Sequence, residues 1–134
     1  MIKLEIVTPE RRVFDEMVDS VTVPTETGEV GILPNHAPLI SALKSGILSY
    51  SNRGTSDKMV VSGGFVEVNT DKVSVLTDVA EKADEIDVEA AKAERDAAQK
   101  VLGSAFSGTE DEFEAEKARL ERAEARLMLA AGGR

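Results

Sequence analysis

The chain changes character near residue 84, and that change limits its fold more than any single motif. Residues 1–83 hold 13 Val and 4 Ala, residues 84–134 hold 2 Val and 12 Ala, and all four Pro (Pro9, Pro24, Pro34, Pro38) fall in the first part. A branched Val side chain suits a pleated, half-buried surface, whereas Ala is the best helix former. The chain therefore reads as mainly β plus α, with a β-rich domain over 1–84 and a helical appendage over 85–134.

The first part is punctuated like an all-β domain. Ile2, Leu4 and Ile6 alternate with Lys3 and Glu5 until Pro9 ends the run. Val13 to Val23 carries two further strands, and others follow near 39–43, 47–51, 58–62, 65–69 and 72–77. Turn signals separate them: Thr27-Gly28, Ser45-Gly46, Asn52-Arg53-Gly54, Gly63-Gly64 and Asn69-Thr70-Asp71. Short strands with such frequent turns indicate a β-sandwich or flattened barrel.

The appendage reads as two helices. Asp87 suits the N-cap of a helix from Val88 to about Leu102. Gly103-Ser104 and Ser107-Gly108 interrupt it, and either Thr109-Glu110-Asp111-Glu112 or Ser107-Gly108-Thr109-Glu110 fits a capping box for a second helix. That helix is expected to run to about Ala131 and stop at Gly132-Gly133. Its apolar stripe is Phe113, Leu120, Ala123, Leu127 and Ala130, facing Val88, Ala91, Ala98, Leu102 and Ala105. The short connection implies an antiparallel two-helix hairpin. Ala-lined faces bury little area, and pairs such as Asp96–Lys100 and Glu89–Lys92 add only tenths of a kcal/mol. The element should stay helical while its docking changes.

Composition excludes much chemistry. The absence of Cys rules out disulfides, thiolate metal sites and a Cys nucleophile, and one His, one Tyr and no Trp leave little for a His-based triad or a multi-His metal site. A net charge of 16 − 25 = −9 argues against nucleic acid as the main partner. No run of 18 apolar residues is present, and the N-terminus lacks the pattern of a secretory signal, so direct membrane insertion is not expected.

Few residues volunteer as a site. Gly28-Glu29-Val30-Gly31 and Ser62-Gly63-Gly64 are too short for phosphate-binding loops and read as turns between strands. His36, stiffened by Pro34 and Pro38, fits a loop hydrogen bond or a protein contact. Glu110-Asp111-Glu112 and Asp84, Glu85 and Asp87 lead into helices, where the macrodipole favours negative charge. Arg119, Arg122 and Arg126 are spaced one turn apart. They form either a solvated face paired with Glu116, Glu121 and Glu124, or a basic stripe that grips carboxylates or phosphate. With no nucleophile–base pair, the chain reads as a non-enzymatic binding protein.

Three stretches carry a family resemblance. Gly28-Glu29-Val30-Gly31-Ile32-Leu33-Pro34-Asn35-His36-Ala37-Pro38-Leu39 resembles the hallmark segment of the ε subunit of F-type ATP synthases. Ser62-Gly63-Gly64-Phe65-Val66-Glu67-Val68 is similar to its second hallmark, and Val73 to Ala80 to the strand that closes its sandwich. The resemblance implies a non-catalytic rotor subunit of the central stalk, whose sandwich binds the γ subunit and the membrane c-ring. It would pass ion-driven rotation to the catalytic α/β hexamer. It places Glu26, Thr27, Gly28, Glu29 and Val30 toward the c-ring, and His36, Ala37, Pro38 and Leu39 toward γ. It implies a hairpin that can extend by a hinge at 103–108, reaching about 65 Å for about 45 helical residues, and inhibit ATP hydrolysis. Arg119, Arg122 and Arg126 would then meet the catalytic subunits. The family's nucleotide motif is half kept: Glu81, Asp87, Arg122 and Arg126 match, but Ala90 stands at the motif's arginine position. No cofactor is required on this reading, and regulatory ATP should bind weakly or not at all. The implied location is peripheral, on the cytoplasmic face of a bacterial plasma membrane. A free-standing nucleotide- or phosphate-sensing module is the alternative.

Overall fold

The computed structural model describes residues 1–103 and 106–132. Ser104 and Ala105 of the expected hinge and first-helix face, and Gly133 of the expected C-terminal stop, lie outside the described residues.

Ten strands form the first part: β1 (Ile2–Val7), β2 (Arg12–Val18), β3 (Ser20–Thr25), β4 (Gly28–Ile32), β5 (Leu39–Ala42), β6 (Gly46–Asn52), β7 (Thr55–Ser62), β8 (Phe65–Val68), β9 (Lys72–Leu76) and β10 (Val79–Glu81). They make two five-stranded sheets, ordered β2-β1-β9-β8-β5 and β10-β7-β6-β3-β4. Only β1 and β9 pair in parallel; every other ladder is antiparallel. The expected sandwich is present. Its core is built from alternate residues of both sheets, among them Ile2, Leu4, Ile6, Val21, Val23, Leu48, Met59, Val61, Val66, Val73 and Val75.

The structure corrects one local expectation. The Gly28–Gly31 segment is not a turn but most of edge strand β4, paired to β3 with Val23 opposite Val30 and Pro24 opposite Glu29. The turn is the preceding pair Glu26-Thr27, and only Gly28, at φ +118°, needs its glycine for conformation.

At Gly63-Gly64 the chain leaves one sheet for the other. Gly64 has φ +91°, and a Cβ there would run into the Leu76 carbonyl. The β9-to-β10 crossing passes beside it, tied by the buried Thr77 hydroxyl. Thr77 Oγ1 accepts from the Ser62 N–H at 3.2 Å and lies 3.0 Å from both the Ser62 and Val79 carbonyl oxygens, between which its single proton is shared.

The appendage is an antiparallel hairpin, α1 (Val88–Gly103) and α2 (Glu110–Ala130). Asp87 caps α1 through its Oδ1, which accepts from the Ala90 N–H at 3.0 Å. Thr109 caps α2, and Thr109 with Glu112 forms the first of the two capping boxes considered. The expected single stripe on α2 is only partly buried: Phe113 and Ala130 are exposed, Leu120 and Leu127 half-buried. Ala123 of the stripe is buried as expected, and Ala125 and Leu129, outside it, are buried as well. Positions 123 and 125 differ by about 200° around a helix, so α2 buries two faces. Ala125 and Leu129 pack on Val60, with Ile47 and Ile86 beside them. Ala123 lies on the side of α1, whose Ala91 and Ala98 are buried. Val60 points away from the sandwich core, yet it is fully buried under α2. This explains why β7 shows four buried residues in a row, Met59 to Ser62, where a half-exposed strand would alternate.

Candidate functional site

Three surfaces gather the residues that sequence alone marked. The first is the β3–β4 hairpin. Buried Thr25 donates its hydroxyl to the Gly28 carbonyl at 2.6 Å and so closes the turn. This leaves Glu26, Thr27, Gly28 and Glu29 exposed, while Val30 is half-buried and packs on the core.

The second is the loop from Leu33 to Pro38 and the sheet face beyond it. Asn35 adopts φ 67°, its N–H donates to the Thr70 carbonyl at 3.0 Å, and the His36 N–H donates to Leu33 at 3.2 Å. His36 Nδ1 lies 2.6 Å from the Ala37 carbonyl oxygen, so the Nδ1–H tautomer donates there. Ala37 and Pro38 are exposed, but Leu39 packs on the core, and its neighbour Ile40 projects outward at 71% exposure. The two segments sit at opposite ends of the sandwich. The Glu26 N–H reaches Ala42, whereas the Asn35 N–H reaches Thr70. At ~3.3 Å per residue, the length of β4 separates them by about 17 Å.

Sequence reading missed an apolar row on the outer face of the first sheet. Cross-strand pairs Ala42–Phe65, Phe65–Leu76 and Leu76–Val7 carry it over four strands. Phe65 is 57% exposed and Leu76 51%. Val7, Pro9, Phe65 and Leu76 help line a shallow cavity of about 340 Å³ there. Beside the row runs a ladder of charges: Lys3–Asp15 at 3.3 Å, Arg12–Glu5 at 3.5 Å and Lys72–Glu5 at 3.6 Å. The signal was available in the sequence, because Leu76 and Phe65 occupy outward positions of alternating strands.

The third surface is the arginine stripe of α2. Local pairing explains only Arg119–Glu116, at 3.3 Å. Glu121 instead reaches Lys44 of the sandwich at 3.0 Å, and Glu124 is exposed. The stripe converges on Glu94 of α1. Arg122 Nη2 donates to its Oε1 at 2.8 Å, Arg126 Nη1 lies 3.5 Å from its Oε2, and Arg119 Nε lies 3.8 Å away. Arg126 also donates through Nε to Glu81 Oε1 of β10 at 2.6 Å. Burial pushes the Glu94 carboxyl up, but the Arg122 hydrogen bond and the charges of Arg122, Arg126 and Arg119 outweigh it and hold it below the usual range. On α1, Asp96 pairs with Arg95 at 3.1 Å rather than with Lys100, and Glu89–Lys92 forms at 3.7 Å. Glu94 was overlooked although it sits three residues after Ala91 and four before Ala98. That spacing puts a carboxylate inside an Ala-lined seam.

The four residues of the half-kept nucleotide motif make different contacts in the docked hairpin. Glu81, Arg122 and Arg126 come together, already neutralised by Glu94. Asp87 serves the α1 N-terminus, makes no ion pair among the described residues, and Ala90 is exposed. Among the described residues no group of His, Cys, Asp or Glu could hold a metal ion.

Residues 1–83 match the family model described as ATP synthase, Delta/Epsilon chain, beta-sandwich domain. The chain is 44% identical over 130 residues to the ATP synthase epsilon chain of Geotalea uraniireducens, covering 97% of this chain and 94% of the relative. It is 47% identical over 131 residues to that of Syntrophobacter fumaroxidans, covering 96% and 95%. A chain in the Euglena gracilis mitochondrial ATP synthase OSCP/F1/c-ring structure superposes with TM-score 0.78 at 30% identity, covering 97% of this chain and 80% of that one. A chain from the Tetrahymena thermophila mitochondrial ATP synthase central stalk/c-ring shares the fold, with TM-score 0.68 at 17% identity over 96% of each.

Proposed function

Since the chain belongs to the ATP synthase delta/epsilon family, and so to the non-catalytic part of that enzyme, we propose that it is a rotor subunit coupling c-ring rotation to the α/β hexamer. One observation carries the reading. A single sandwich offers exposed surfaces on different sides: the Glu26–Glu29 hairpin at one end, the His36–Pro38 loop at the other, and Ile40 with the Phe65–Leu76 row on the outer face of the first sheet. A joint that carries torque needs two such surfaces on one body. The acidic hairpin, with Glu26 and Glu29, is the c-ring contact. The apolar row and the His36 loop form the γ contact, where large exposed side chains gain most from burial. Among the described residues no helix is long and apolar enough to cross a membrane. The chain reaches the cytoplasmic face of the bacterial plasma membrane through these partners.

The hairpin regulates. Its hold on the sandwich is a small apolar contact plus Arg126–Glu81 and Lys44–Glu121, weak enough to release. Once free, Arg119, Arg122 and Arg126 exchange Glu94 and Glu81 for acidic residues of the catalytic subunits and block hydrolysis. Deleting residues 85–134 in the intact complex should raise ATPase activity, and unchanged activity would sink the idea. ATP is not needed for docking, because Glu94 already supplies the counter-charge a phosphate would bring. Isothermal titration of the full chain should show no micromolar ATP binding; a micromolar affinity would overturn this.

A further inference from the structure

α1 packs on α2, and α2 packs on β6 and β7, so the outer helix holds to the sandwich mainly through the inner one. The seam between the helices is alanine: Ala91 and Ala98 on one side, Ala123 on the other. Such side chains bury little area, so the seam needs another source of hold.

That source is polar, and it spans all three bodies. Arg126 of α2 is shared between Glu81 of β10 and Glu94 of α1. Glu94 is also the nearest acid to Arg122, whose side chain is only 29% exposed and whose Nε has no hydrogen-bond partner. Without Glu94, Arg119 would keep Glu116 and Arg126 would keep Glu81. Arg122 would lose its ion-pair partner, half-buried with Arg119 and Arg126 one turn away on either side. An ion that loses its partner in such a place is costly, and like charges one turn apart repel.

We infer that Glu94 is the clasp of the tail: it closes the α1–α2 hairpin and, through the shared Arg126, ties closure to docking on the sandwich. Hairpin opening and undocking are then coupled, because Arg126 parted from Glu94 keeps only its Glu81 arm, while Arg122 beside it on the docked helix loses its partner. The alternative is a tail held by apolar packing alone, with Glu94 a passive surface charge. The inference concerns the free chain and stands or falls independently of whether the released tail inhibits hydrolysis.

The chain has no Cys, so paired labels can be placed at will on exposed residues. Spin labels on Ala97→Cys with Glu124→Cys report the hairpin, and on Ser56→Cys with Glu124→Cys report docking. In the full-length chain, Glu94→Gln should raise the open fraction about tenfold or more, with both distances lengthening in the same proportion. High salt should move the unsubstituted chain the same way, and Glu116→Gln should change neither distance. Arg126→Gln, which cuts the other arm, should also lengthen both, and it reads the coupling if circular dichroism shows that Glu94→Gln loses helix. The inference is overturned if Glu94→Gln leaves both distances unchanged, or if one interface opens while the other stays closed.

Discussion

Leu129→Ala should release the tail while leaving the sandwich intact. Leu129 is 5% exposed and packs in a small cluster with Val60, Ala125, Ile47 and Ile86, the apolar part of the docking contact. The substitution removes three carbons, at about 0.8 kcal/mol each, and Leu-to-Ala changes in full cores cost about 2–5 kcal/mol. Here the site empties by lifting the helix rather than keeping a cavity, so the low end applies, about 2 kcal/mol. At about 1.4 kcal/mol per factor of ten, the undocked fraction should rise roughly 30-fold. An Arg-specific protease reads this directly, because Arg119, Arg122 and Arg126 are cut from the released tail and cleavage tracks the open population. Phe113→Ala is the control. Phe113 stacks edge-on against Phe106 at the hairpin tip, with ring centroids 5.5 Å apart, and is 38% exposed. A change in cleavage below about threefold for Leu129→Ala, or an equal effect of Phe113→Ala, would show that docking does not rest on this contact.

Gly64→Ala should destabilise the sandwich by about 3 kcal/mol or more, since the new methyl meets the Leu76 carbonyl and φ is positive. For a domain of this size the melting temperature should fall by roughly 12–24 °C, and a fall below about 4 °C would contradict the crossing geometry. Tyr50, the one tyrosine of the chain, packs on Phe14 with centroids 4.5 Å apart and donates to Asp57 Oδ2 at 3.3 Å. Burial first, then the Asp57 charge and hydrogen bond, push its hydroxyl up to about 12 from 10.0. The neutral phenol thus contributes stability that is fully present below pH 10.0 and lost as pH rises toward about 12. Phenolate absorbance with a midpoint near 10 in the folded chain would refute this burial.

The sandwich and hairpin were legible because valine alternation and alanine content are local signals. What failed was local too. Gly28-Glu29-Val30-Gly31 carries the composition of a turn, yet it is a strand because β3 supplies a ladder for it. β10 has only three residues, Val79–Glu81, too few for a period to show. The α2 stripe was sought as one face, whereas the helix meets both a sheet and a helix. The arginines were assigned neighbours on their own helix. Their main partners lie 28 and 45 residues away, a distance that spacing rules do not see.

The four buried residues of β7 bear on every truncation of this protein. Val60 is dry only because α2 lies over it, and Ile47 beside it is half-covered. Position 60 would suit a polar side chain if the helix were always elsewhere, so the sandwich carries an imprint of the docked tail in its own strand. Cutting at residue 84 removes the tail but keeps the imprint. The shortened protein should be stickier than the parent and self-associate at high concentration through that patch.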